Sequence, residues 1–349
     1  MIFISKNGDL INTEPENTYF QKVFDLISYW NSNSETIELQ TSGSTGNPKI
    51  IVVSRARIIA SIEMTRKSFH LYDSDLFFCC LNVNYIAGIM MVFRALHIGA
   101  NLVVVEPTSN PLLNLGSQEY LLSKVKVFFS FVPLQIETIL KNPSSAILLN
   151  SAKAIIIGGA SINSTLSKMC SELFVPIYAT FGMTETLSHI AIRDLRKEGE
   201  SFKILEGVAI EVNTKNCLRI KSASTSNEWI QTNDVVELID NANFIVKGRA
   251  DNIINSGGVK IQLEEIEKKI EENLNLDARF FCFGKSDELL GQKLILIIEG
   301  NRNPVTIEQL QGFLSKFEVP KEIYHLENFV ETLSGKISKI KTVNEILNH

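Results

Sequence analysis

Over the first 180 residues, short runs of β-branched and apolar residues alternate with longer segments of helical spacing, and few architectures accommodate that rhythm. The runs at 37–39, 50–53, 76–80, 102–105, 127–130, 154–157 and 176–180 read as strands. Between them, 55–70, 87–99, 117–124, 133–141 and 163–173 carry helical spacing, several behind a Ser, Thr or Pro start. Such alternation predicts a layered α/β sheet. After about residue 200 the strands at 208–212, 217–220, 235–238 and 244–246 are separated by polar turns, as in a small antiparallel sheet or barrel. The segment LEEIEKKIEEN (263–273) is a charged amphipathic helix. With strands at 278–284, 294–298 and 323–326 and a helix near 306–317, it predicts a compact α+β unit of roughly 100 residues, enough for its own core. A boundary near 247–251 divides the chain into 1–248 and 249–349.

Composition narrows the function. Of 349 residues, 45% are hydrophobic and 21% charged, which excludes a disordered chain. A net charge of −5 argues against coating a nucleic-acid duplex, which needs a basic face. The N-terminus lacks the basic head and apolar run of a signal peptide. The most apolar stretch, 86–105, is interrupted by Arg94, His97 and Asn101, so membrane insertion is not expected. Five cysteines without a C-x-x-C pair read as reduced thiols of a cytoplasmic protein, and the five histidines show no metal-ligand spacing.

The first chemical signal is Thr41-Ser42-Gly43-Ser44-Thr45-Gly46-Asn47-Pro48-Lys49, flanked on both sides by strand-like residues. Two glycines let the backbone approach a ligand, and hydroxyls with Lys49 add donors and charge, a set suited to polyphosphate. It is not a Walker A loop, since the spacing differs and a strand follows where a helix should. On its residues alone a hydroxyl-rich turn explains it equally well.

Further segments change the balance. TSGSTGNPK (41–49), FGMTET (181–186), WIQTND (229–234), GRADNIINSGG (248–258) and SGKISK (334–339) occur in the order and approximate spacing of the AMP-forming adenylate enzymes, and the chain resembles that superfamily over 41–339. The resemblance implies a carboxylate attacking the α-phosphate of ATP to give acyl-AMP and pyrophosphate, followed by displacement of AMP by a thiol. A carboxylate is already ionised at pH 7, so the first step asks for charge neutralisation and alignment more than for a base. By resemblance, Thr184 contacts phosphate and Glu185 binds Mg²⁺, although both also suit a plain first helical turn. Gly159, Ala160 and Ser161 border adenine, Asp234 and Arg249 hold the ribose, and Asp251 is the hinge of a mobile C-terminal domain. Gly257 and Gly258 line the CoA channel, and Lys336 is the catalytic lysine. The sequence departs from the family at Asn233, where glycine is usual, and at Lys339, where arginine is usual.

The acid is narrowed by SFVPLQ (130–135) and AIIIGGA (154–160), which are similar to stretches of the o-succinylbenzoate–CoA ligases of menaquinone synthesis. Tyr85 stands where the family carries a gating histidine; Tyr85, Ser188 and His189 are the acyl-pocket candidates, with core or helix-face roles equally open. The family usually has roughly 100 or more residues ahead of the phosphate loop, which starts here at 41, so a truncated first subdomain is expected. The implied activity is an ATP- and Mg²⁺-dependent acid–CoA ligase with CoA as second substrate. Another aryl or fatty acid–CoA ligase, an enzyme loading a free carrier protein, a trimmed non-catalytic homologue, and a homo-oligomeric state all stay open.

Overall fold

The computed structural model describes residues 1–12, 17–32, 34–40, 50–113, 115, 116, 118–274, 276, 278–300, 305–331 and 337–347. In chain order the first elements are β1 (Ile2–Ile4), β2 (Leu10–Asn12), α1 (Thr18–Asn31), β3 (Thr36–Gln40), β4 (Ile50–Ser54), α2 (Arg55–Phe69), β5 (Leu76–Cys79), α3 (Ile86–Ile98) and β6 (Asn101–Val104). Then follow α4 (Gln118–Lys124), β7 (Val127–Phe131), α5 (Pro133–Leu140), α6 (Pro143–Ala146), β8 (Ala152–Ile157), α7 (Ser164–Ser171), β9 (Ile177–Gly182), β10 (His189–Asp194) and β11 (Phe202–Ile204). The expected strands and helices up to residue 180 are therefore present within a residue or two.

The chain divides into two compact units: Met1–Ile210 with Ile220–Ile230 and Ile239–Phe244, and Glu211–Arg219 with Gln231–Leu238 and Ile245–His349. In the first unit, β6, β5, β7, β8 and β9 lie side by side and parallel, in that order. The antiparallel pair β1 and β2 extends one edge, and β10 and β11 extend the other. Parallel strands are covered on both faces, so they read as unbroken apolar runs. Alternation still sorts them. Phe77, Cys79, Phe128, Ala154 and Ile156 face a core completed by α1, α2 and α3. Leu76, Phe78, Val127, Phe129, Ile155 and Ile157 face a second core completed by α4, α5 and α7.

The N-terminal lead-in proves structural. Asn17 caps α1 by accepting from the Tyr19 N–H, and Phe20, Val23, Leu26 and Trp30 bury its inner face.

The strands β12 (Ala209–Val212), β13 (Cys217–Lys221), β14 (Ile230–Leu238) and β15 (Asn243–Arg249) have residues in both units. The second unit continues with β16 (Ile253–Ser256), β17 (Val259–Gln262), α8 (Leu263–Asn273), β18 (Phe280–Asp287), β19 (Gly291–Glu299), α9 (Ile307–Gln311), β20 (Glu322–Leu326) and α10 (Lys339–Leu347). Its sheet runs β17-β16-β19-β18, with β20 parallel to β19. Ile266 and Ile270 of α8 pack on Cys282, Leu294 and Leu296. Phe281, Ile295 and Ile297 face the other way, toward Phe329 and Val343. The helix expected over 306–317 stops at Gln311, because Gly312 follows its capping Thr306 turn by only six residues.

Candidate active site

The strand order places a topological switch in the first unit: the chain leaves β5 for β6 on one side and later enters β7 on the other. Open α/β sheets bind ligands outside the carboxyl ends of strands at such a point. Tyr85 follows β5, Gly158 to Ser161 follow β8, and Thr184 and Glu185 follow β9, so each lies beyond a carboxyl end. Gly158 has no room for a side chain, since an added Cβ would lie 2.5 Å from Thr180 Oγ1, which donates to the Ile157 carbonyl at 3.0 Å. Gly159 takes φ +87°, a conformation that favours glycine. Ala160 and Ser161 are exposed beside them. Tyr85 caps α3 by position and is half-buried.

Thr184 to Thr186 form a single tight turn. Thr186 Oγ1 accepts from the Met183 N–H at 3.0 Å, and the Leu187 N–H donates to the Thr184 carbonyl at 2.9 Å. Leu187 is fully buried at φ +65°, a strained position for a branched side chain, which persists only where the surroundings over-determine it. Among the described residues the Glu185 carboxylate has no hydrogen-bond or ion-pair partner, and no group of three or more His, Cys, Asp or Glu could hold a metal. That donor set fits Mg²⁺, which takes one or two carboxylates and completes its shell with water and substrate phosphate.

Next to this turn sits a buried polar relay that sequence reading only half found. Arg94, in the middle of apolar α3, is 2% exposed and donates through Nη2 to Ser188 Oγ. Ser188 Oγ lies 3.2 Å from His189 Nδ1, His189 Nε2 lies 3.5 Å from Thr65 Oγ1, and Thr65 donates to the Ser61 carbonyl at 3.2 Å. Arginine can only donate, so Ser188 accepts from it and turns its own proton to Nδ1; the His189 proton then sits on Nε2. Burial, reinforced by the Arg94 charge, pushes the His189 imidazole down to about 3, so the ring is neutral. Burial also lowers Arg94, to about 10. Among the described residues Arg94 has no carboxylate partner and its Nε makes no hydrogen bond. Arg94 registered in the sequence only as a break in an apolar run; a lone arginine inside IAGIMMVFRALHI was the available signal.

In the second unit, three predicted residues meet. Arg249 Nη1 lies 3.4 Å from Asp234 Oδ1, and its Nη2 lies 2.9 Å from Asp251 Oδ2. Asn233, the residue in place of glycine, donates to Asp251 at 3.1 Å. Burial raises the Asp234 carboxyl above the usual range, with Arg249 opposing. Gly257 and Gly258 are the two central residues of the β16–β17 hairpin, at φ +60° and +87°, so the turn itself accounts for both. Lys339 donates to Glu267 at 2.8 Å at the start of α10. Thr41, Ser42, Gly43, Ser44, Thr45, Gly46, Lys49 and Lys336 lie outside the described residues.

A family model described as "AMP-binding enzyme" matches residues 37–214, and the chain belongs to that family. Its relatives are more particular. The 2-succinylbenzoate–CoA ligase of Staphylococcus epidermidis is 25% identical over 355 residues, covering 92% of this chain and 73% of that protein. A crystal structure of an acyl-CoA synthetase (AMP-forming)/AMP-acid ligase II-like protein from Dyadobacter fermentans is 37% identical, with a TM-score of 0.65, over 99% of this chain and all of that one. The o-succinylbenzoate CoA synthetase of Bacillus subtilis, solved with ATP and magnesium, shares the fold at a TM-score of 0.73 and 20% identity, over 88% of this chain and 69% of that one.

Proposed function

We propose that the chain is an ATP-dependent acid–CoA ligase whose acid is o-succinylbenzoate, activated as the acyl-adenylate and passed to CoA with release of AMP and pyrophosphate. The observation that carries the choice of acid is Arg94. A guanidinium buried without a carboxylate is costly to the fold, and an aliphatic residue of similar volume would pack there more cheaply. An acid with a second carboxylate supplies the missing anion, and o-succinylbenzoate has two: one is activated and the other is left to be read. Ser188 and the neutral His189 hold the guanidinium in place, and Tyr85 contributes an aromatic wall. A monocarboxylic fatty or aryl acid leaves Arg94 unpaired.

The remaining assignments follow the chemistry of adenylation. The 41–49 loop and Lys49 cradle phosphate, Asp234 and Arg249 hold the ribose, and Gly159, Ala160 and Ser161 border the base. Glu185 would hold Mg²⁺, which would supply neutralisation of phosphate charge, and Lys336 bridges carboxylate and α-phosphate. The second unit supplies the hinge at Asp251 and the thiol channel at Gly257 and Gly258. The described free cysteines are all buried, which supports a reducing, cytoplasmic setting.

The test is pyrophosphate release with ATP and Mg²⁺ against o-succinylbenzoate, benzoate, cinnamate and fatty acids, with and without CoA. Release driven by o-succinylbenzoate, with a CoA thioester formed, is expected. Release with a monocarboxylic acid alone would overturn the choice of acid, and silence with every acid would overturn the enzymatic reading.

A further inference from the structure

Arg57 has no place in the motifs, yet it holds the turn that carries Glu185. It lies in the first turn of α2 and is half-buried. Its guanidinium meets two main-chain carbonyls instead of a carboxylate. Nη2 donates to the Glu185 carbonyl at 2.8 Å, across 128 positions of sequence, and Nε donates to the Ser224 carbonyl at 2.6 Å, across 167. The two carbonyls belong to two turns built alike. In Thr184–Thr186 the third residue's hydroxyl accepts from the Met183 N–H, and Leu187 follows at φ +65°. In Ala223–Thr225 the Thr225 hydroxyl accepts from the Ser222 N–H, and Ser226 follows at φ +57°. Both turns end in a left-handed residue that is not glycine, and such a conformation persists only under external restraint. Arg57 supplies a restraint common to both, and its planar fork can address two acceptors at once as an ammonium cannot.

We propose that Arg57 is a positioning residue for metal binding: by fixing the Glu185 carbonyl it sets where the uncommitted Glu185 carboxylate is presented. The inference rests on the reading of Glu185 as the Mg²⁺ ligand. Partners that orient a ligand from outside the coordination shell are worth about 10–100-fold in metal affinity. Arg57 touches neither metal nor nucleotide in this role, so its loss weakens the cation's site and spares the nucleotide's.

The experiment uses the full chain and Mn²⁺ as a paramagnetic probe, with a non-hydrolysable ATP analogue and no acid or CoA. Mn²⁺ affinity is read by electron paramagnetic resonance, and analogue affinity without metal by calorimetry. Arg57→Ala is expected to weaken Mn²⁺ by about tenfold or more and the metal-free analogue by less than about twofold. Arg57→Lys is expected to fall between, at about threefold or more, since one ammonium replaces the fork; it carries the test if Arg57→Ala does not fold. Wild-type Mn²⁺ affinity in the folded variant overturns the proposal, as does equal weakening of metal and nucleotide. Glu185→Gln separates the two readings. If it binds Mn²⁺ like the wild type, the assignment of Glu185 fails; if it weakens Mn²⁺ while the Arg57 variants do not, the inference about Arg57 alone fails.

Discussion

At the scale of single residues, the relay around Arg94 makes two opposite demands on the molecule. His189 is buried and neutral, with its folded pKa depressed to about 3 from an ordinary value near 6.5. The unfolded chain therefore binds a proton below about 6.5 that the folded chain refuses. The stability this group contributes is complete above that pH and declines as pH falls toward 3. At about 1.4 kcal/mol per unit, lowering pH from 6.5 to 5 removes roughly 2 kcal/mol. Denaturant midpoints at pH 7 and pH 5 check it: His189→Gln should lose that much less than the wild type over the interval. Arg94 pulls the other way. Arg94→Met removes a buried charge, so the midpoint should stay level or rise, while kcat/KM for o-succinylbenzoate falls by about 10²-fold or more. An unfolding free energy that drops by several kcal/mol, with activity falling in proportion to the folded fraction, would make Arg94 a structural residue only.

At the scale of elements, periodicity made most of the fold legible and its clusters were not. Strands β5 and β7 and helices α2 and α3 stand where the alternation put them, because a buried parallel sheet and its crossover helices write their burial into local spacing. α1 also carried a signal, with Asn17 ahead of Phe20, Val23, Leu26 and Trp30, but the three-residue strands β1 and β2 before it are too short for any period to register. The sequence offered the candidate site as identities without their contacts. That Arg57 reaches Glu185 and Ser224 follows from pairings across 128 and 167 positions that no local pattern encodes, whereas Asp234 and Asp251 meet the Arg249 guanidinium from only 15 and 2 positions away. Gly158 illustrates the difference: AIIIGGA shows only that a glycine stands there, whereas the structure shows a steric limit set by Thr180. Gly158→Ala forces Thr180 to rotate and lose its bond to the Ile157 carbonyl, at a cost of about 1–3 kcal/mol. Thermal unfolding of Gly158→Ala with and without Thr180→Ala tests this. The pair should be clearly less destabilised than the sum of the single changes, and simple additivity would remove Thr180 as the cause.

At the scale of the whole molecule, each unit has its own core, and the residues assigned to the chemistry are divided between them. Glu185 and Arg94 belong to the first unit, and Asp234 and Arg249 to the second. The two half-reactions differ in the charge they must neutralise. Adenylation gathers negative charge at phosphorus from a carboxylate and a triphosphate, so a lysine bridging them acts where repulsion is greatest. Thioester formation starts from acyl-AMP, after pyrophosphate and its charge have gone, and no longer needs that bridge. Lys336→Ala should therefore cut acyl-AMP formation from ATP by about 10²-fold or more while leaving CoA thioester formation from supplied acyl-AMP within about threefold of wild type. Single-turnover assays of the two steps decide it. Equal loss in both would mean that Lys336 supports the second unit as a whole and does not act on the first step.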